Sequence, residues 1–177
     1  MNNILKDVEV KLSEEFDRNF QRKAFFDRPW PKTKLVNNKG SMLARTNSLR
    51  RSVNSKMGTD SITWSSSLPY ASIHNDGGEI AVTAKMKKFF WYKYYEASGK
   101  MSTKKDGSLS NNKRNQRLNL EAEQWKALAL MPVGKMMKID QRQFIGDHPQ
   151  VQEAVKTIID RNMKFFSEEL TKKFKPK

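Results

Sequence analysis

Residues 52–65 read Ser-Val-Asn-Ser-Lys-Met-Gly-Thr-Asp-Ser-Ile-Thr-Trp-Ser. Two short stretches with β-branched and aromatic residues flank Gly58-Thr59-Asp60. This predicts an antiparallel hairpin with strands over 52–56 and 61–65, Ile62 and Trp64 on one face, and a loop longer than two residues. The stretch lies between two long segments of helical periodicity. Upstream, Ile4, Leu5, Val8, Leu12, Phe16 and Phe20 recur at steps of three and four. That helix must end before Arg28-Pro29-Trp30-Pro31, because proline removes a backbone donor and restricts the residue before it. Downstream, Asp147-His148-Pro149 resembles a helix start with Pro in the first turn. Val151, Val155, Ile158, Ile159, Met163, Phe166, Leu170 and Phe174 then form one apolar stripe. The order implies an α+β fold, in which a small antiparallel sheet packs against long N- and C-terminal helices.

Smaller elements fill the intervals. Residues 32–41 read as a basic, polar loop, and Thr46 or Asn47 is placed to cap a short helix. Pro69 permits a short helix over 70–74, which Gly77-Gly78 ends, and a strand follows at 79–83. Residues 98–115 are rich in Ser, Lys, Asn and Gly and read as a mobile loop. A helix is expected over 118–130, before Pro132 and Gly134, and a last strand over 135–140.

The chain has 177 residues, the length of one domain, and a formal net charge of +15. The charge is regional. Residues 84–138 carry 13 basic and 4 acidic side chains, a net of +9. They are expected to form a basic, partly helical insertion in a single domain spanning 1–177. Here Lys85, Lys87, Lys88 and Lys93 are interleaved with Phe89, Phe90, Trp91, Tyr92, Tyr94 and Tyr95. Rings packed so densely cannot all face one core from one helix. Lys85, Lys87, Lys88, Trp91, Tyr92 and Lys93 are therefore candidate contacts for another protein or for nucleic acid, with protein favoured.

Several chemistries find no support. There is no Cys, which removes disulfides, thiolate metal sites and Cys nucleophiles. Two His make a multi-histidine metal site improbable, and no cofactor is expected. No apolar run approaches the ~18 residues of a membrane span, and the acid-bearing N-terminus does not resemble a secretory signal. His74 with Asp76 invites a general-base reading, but no nucleophile or oxyanion donors accompany them. Both His74 and His148 read as structural. Arg50 and Arg51 read as a solvated face. The chain is not expected to be an enzyme.

Four segments occur in an informative order. They are Arg28-Pro29-Trp30-Pro31, Leu43 to Ser52, Pro69-Tyr70-Ala71-Ser72-Ile73-His74-Asn75-Asp76-Gly77-Gly78, and Arg142-Gln143-Phe144-Ile145-Gly146. Together they resemble the phage virion morphogenesis family, the tail-completion proteins of Mu-like contractile-tailed phages and prophages. In that family a Trp-Pro element follows the first helix, Thr-Gly-x-Leu-Arg-x-Ser precedes the hairpin, Tyr-Ala-x-x-His-x-x-Gly-Gly follows it, and Arg-x-Phe-Leu-Gly precedes the last helix. The resemblance puts weight on Pro29, Trp30, Thr46, Leu49, Arg50, Ser52, Tyr70, Ala71, His74, Gly77, Gly78, Arg142, Phe144 and Gly146. It covers 1–83 and 139–177 and leaves out most of 84–138. Asn47 stands where the family has Gly, and Asn tolerates the left-handed conformation such a turn requires. Ile145 replaces Leu. The resemblance implies tail completion and head–tail joining through protein contacts, in the virion or in the host cytoplasm during assembly. Its implied partners are other tail, neck or connector proteins and further copies of the chain, with DNA as the alternative and no membrane.

Overall fold

The computed structural model describes residues 2–33 and 42–174. The chain forms two compact units. The first contains 1–31, 41–77 and 141–177, and the second is built around 78–140. The loop expected over 32–41 lies, from residue 34 on, outside the described residues.

In the first unit, helix α1 (Asn2–Arg22) runs to the position its periodicity predicts. Lys23 and Phe26 take left-handed φ angles of 56° and 54°. The chain thereby turns into a two-residue ribbon, β1 (Ala24–Phe25) against β2 (Arg28–Pro29), that the sequence reading did not anticipate. Helix α2 (Ser48–Ser52) follows Asn47, whose φ of 55° and ψ of 13° are the left-handed values foreseen for it. The Asn47 side chain makes no cap bond; Thr46 Oγ1 accepts weakly from Ser48 N at 3.4 Å instead. The hairpin is β3 (Val53–Met57) with β4 (Ile62–Ser66), paired from Val53↔Ser66 to Met57↔Ile62. Each strand lies one residue beyond its predicted place, and the loop has four residues.

Helix α3 (Ala71–Asp76) ends at Gly77. The last helix, α6, spans Pro149–Lys173. His148 stacks on Phe26 at 4.7 Å, while Arg161 reaches Asp7 at 3.0 Å, so α1 and α6 run antiparallel. One core holds Val8, Leu12, Phe16, Phe25, Phe26 and Ile158, with Ile62 and Trp64 laid on it from the hairpin. Trp64 crosses Phe16 edge-on at 5.4 Å and donates to Ser13 Oγ at 2.9 Å.

The predicted apolar stripe of α6 is covered only in its first half. With Arg161 opposite Asp7, the later turns of α6 pass the start of α1. Met163, Phe165, Phe166 and Phe174 are 57–78% exposed, and Leu170 is also exposed.

The second unit is a ribbon and a helical hairpin. β5 (Gly78–Ala81) pairs antiparallel with β6 (Met136–Ile139), and between them run α4 (Ala84–Ser98) and α5 (Lys113–Leu130). α5 starts five residues before the predicted 118, because Asn112 caps it by accepting from Asn115 N at 2.7 Å. Phe90, Leu128 and Ala129 form the core, and Trp125 stacks on Phe90 at 6.0 Å. The fold class is α+β, but among the described residues the strands form three separate two-stranded ribbons, not one small sheet. Each ribbon closes on its own hydrogen bonds, and the first two both pack against α1.

Gly77 is a position where a side chain is poorly tolerated. Its φ of 72° with ψ of −173° belongs to a region essentially reserved for glycine. A Cβ would also meet the Gln141 backbone nitrogen at 3.0 Å. Gly77→Ala is expected to lower stability by about 2 kcal/mol, measured by urea unfolding; an unchanged midpoint contradicts this reading of the turn.

Candidate functional site

The four motif segments meet in a second core of the first unit. Trp30, Leu49, Ala71 and Phe144 are buried there with Phe20, and Phe144 has no exposed surface. Phe20 contacts Trp30 edge-on at 5.7 Å and Phe144 at 5.1 Å. One residue from each motif segment thus enters a single cluster.

Hydrogen bonds tie the same segments together. Residues 141–144 belong to neither helix nor sheet, so their backbone groups need other partners. Arg142 N donates to His74 O at 2.7 Å. Trp30 Nε1 donates to Gln143 O at 2.6 Å, and Arg142 Nε donates to Pro31 O at 3.3 Å. Asn75 Oδ1 accepts from Phe144 N at 3.0 Å and from Ile145 N at 3.1 Å. Asn19, fully buried, donates from Nδ2 to Phe144 O at 3.2 Å and accepts at Oδ1 from Phe26 N at 3.0 Å. Neither Asn19 nor Asn75 was singled out by sequence. An asparagine inside a helical period carries no signal of a partner 69 or 125 positions away.

The remaining motif residues support this arrangement. Ser52 Oγ donates to Leu49 O at 2.7 Å and lies 2.7 Å from Ser66 Oγ, closing α2 onto the hairpin. Arg50 is no solvated side chain; it makes a two-pronged pair with both carboxylate oxygens of Asp17 on α1. Arg51 donates to Thr46 O at 2.8 Å. Pro29 ends the β2 ribbon, Gly78 opens β5, and Gly146 takes a φ of 136°. Tyr70 meets His74 edge-on at 6.1 Å.

The histidines sit in structural surroundings. His148, 3% exposed, accepts at Nδ1 from Gln150 N at 3.2 Å and lies 2.9 Å from Asp27 Oδ1 through Nε2. These partners assign the ring proton to Nε2. His74 Nδ1 is buried without a hydrogen-bond partner among the described residues. Burial first, and the nearby Arg142 charge second, push its pKa below the ordinary value of 6.5. Among the described residues no three or more His, Asp or Glu side chains gather as metal ligands would.

The second unit presents a different surface. Phe90 is buried, whereas Phe89, Tyr92 and Tyr95 are 50–65% exposed. Trp91 is half-buried and stacks on Tyr95 at 6.0 Å. The candidate lysines divide. Lys93 donates to Glu96 at 2.5 Å and lies over the Tyr92 ring at 5.5 Å. Lys100 donates to Glu96 at 2.6 Å. Together the two hold Glu96 down at about 2. Lys85, Lys87 and Lys88 have no such partner among the described residues. They occupy the first turn of α4, where an acid would suit the helix dipole and none is present.

Of residues 98–115, expected to be a mobile loop, Ser98 ends α4, 113–115 open α5, and 99–112 are tied into a finger. Thr103 and Leu109 form a bridge, and Lys104–Gly107 make a turn closed by Gly107 N to Lys104 O at 3.0 Å. Asn115, 5% exposed, supplies all four of its amide hydrogen bonds. Its Oδ1 accepts from Ser102 N and Oγ, and its Nδ2 donates to Ser102 O and Ser110 O.

The fold and the stitched motifs define a small α+β scaffold. A model of the phage virion morphogenesis family matches residues 18–164, and the chain belongs to that family, which places its role in phage assembly. The match spans 84–138, which the motifs alone left outside the resemblance. No curated protein and no solved structure matches the chain. Among the described residues no helix is long and apolar enough to cross a membrane.

His74 gives this site a pH signature. Its depressed folded pKa means that the unfolded chain binds the proton more readily. Its stabilising effect is therefore full above pH 6.5 and is lost as pH falls from there through the folded pKa. An NMR titration should place the His74 pKa below 6.5. The melting temperature should decline through the same acid window, and a pKa at or above the ordinary value contradicts the buried, neutral imidazole.

Proposed function

We propose that this protein completes the phage tail and joins it to the head, acting through protein–protein contacts without catalysis. The observation that carries the reading is the fate of the motif residues. Those that mark the family are used to hold one core together, and Trp30 and Arg142 spend their side-chain donors on the backbone carbonyls of Gln143 and Pro31. Family membership supplies the assembly role, and the exposed apolar surfaces supply a means. On α6, Phe165, Phe166 and Phe174 face solvent, and on α4 so do Phe89, Tyr92 and Tyr95. Apolar patches of this kind are typical of surfaces that meet another protein. Tail, neck or connector proteins and further copies of the chain are the proposed partners, met in the host cytoplasm during assembly and kept in the virion.

The test is made on particles. Phage lacking this protein should yield filled heads and separate tails, and supplying the protein should restore joined, infectious particles. Phe165→Asp with Phe166→Asp should fail to restore them while the purified variant keeps its helical circular dichroism. Normal infectivity without the protein defeats the assignment.

A further inference from the structure

We propose that the tip of the α4–α5 hairpin binds the phosphate backbone of duplex DNA. Lys104, Lys105, Lys113, Arg114 and Arg117 are all exposed there, and among the described residues none has an ion-pair partner. The only acid between 99 and 117 is Asp106. Its Oδ1 already accepts from Ser108 N at 2.9 Å and Ser108 Oγ at 2.7 Å. The contrast with Lys93 and Lys100, both tied to Glu96, separates cations that serve the fold from cations that do not.

The placement works against the helix. Lys113 and Arg114 stand in the first turn of α5, at the positive end of its dipole, and that turn contains no acid. Like charge accumulates where a folding sequence would place Asp or Glu, and Asp106 is the single acid in the finger set against it. A local rule broken without internal compensation points to an external ligand, here a polyanion. The backbone that carries the cations is also preorganised. Asn115 fixes the base of the finger, and Lys104 N donates to Ser108 O at 2.7 Å at its turn, so less freedom is lost on binding.

The choice of duplex DNA over an acidic protein rests on what surrounds the charge. A protein interface needs an apolar centre. The finger offers only Leu109, a single exposed side chain among polar neighbours. A phosphate backbone needs closely spaced cations and no base-reading pocket. This activity goes beyond tail completion and does not rest on it, since it is measured on the purified protein.

The full-length protein is titrated into a fluorescently labelled mixed-sequence duplex of about 20 base pairs, between about 50 and 200 mM NaCl, the range over which phosphate contacts are strongly screened. Five phosphate contacts predict a slope of log K against log salt near −4.5, which is a loss of roughly 500-fold over that range. Substituting Gln at all five positions should reduce the steepness by at least about three units, whereas Lys85→Gln/Lys87→Gln/Lys88→Gln should change it by less than about one. Should the five-site variant misfold, Lys104→Gln/Lys105→Gln and Arg114→Gln/Arg117→Gln are read separately, each removing about two units. The proposal is overturned by an absence of binding at the lowest salt, by equal effects from both ends of the hairpin, or by polyglutamate of similar length binding as tightly as the duplex.

Discussion

Residues 141–144 belong to neither helix nor strand, and Phe144 within them is wholly buried. Buried backbone polar groups must be paired, and no helix or strand is there to pair them. Asn19, Trp30, His74 and Asn75 do so, the first three arriving from elements far apart in sequence and His74 through its backbone carbonyl. The requirement fixes the first unit. α1 must present Asn19 inward, the turn after it must place Trp30 against Gln143, and α3 must end where Asn75 can accept two amides. An unmade bond of this kind costs about 1–3 kcal/mol, so the four partners are mutually dependent and the motifs occur as a set.

Much of this was legible from residue patterns, and the limits were physical. Steps of three and four located α1 and α6, and alternation around Gly58 located the hairpin to within one residue. Asn47 was read correctly as a left-handed position, because few other residues tolerate one. What sequence did not reveal was long-range pairing. Arg50 looked like surface until Asp17 was seen beside it, and the asparagines looked like ordinary polar positions. The stripe on α6 was real, but periodicity does not say how far a partner helix extends. The polar composition of 99–112 concealed a finger held by one buried amide, Asn115.

The two units use charge and apolar surface differently. In the first, polar pairs close the fold: the ion pairs of Arg50 with Asp17 and Arg161 with Asp7, and the contact of His148 with Asp27. In the second, cations gather at the first turns of both α4 and α5, where the helix dipoles disfavour them. Such an arrangement adds nothing to folding. The outward rings of α4 and the uncovered end of α6 are likewise apolar surface that the fold leaves unused. A scaffold whose family motifs hold a core and whose outer faces keep exposed apolar surface is suited to assembly.

The central claim is that the segment around Phe144 is the most firmly held part of the first unit. Native-state hydrogen exchange on the Phe26, Phe144 and Ile145 amides tests it directly, since all three donate to the two asparagines. These amides should exchange only through global unfolding of the first unit, with opening free energies equal to its stability from urea denaturation. Exchange through local opening, at free energies well below that stability, would contradict the account.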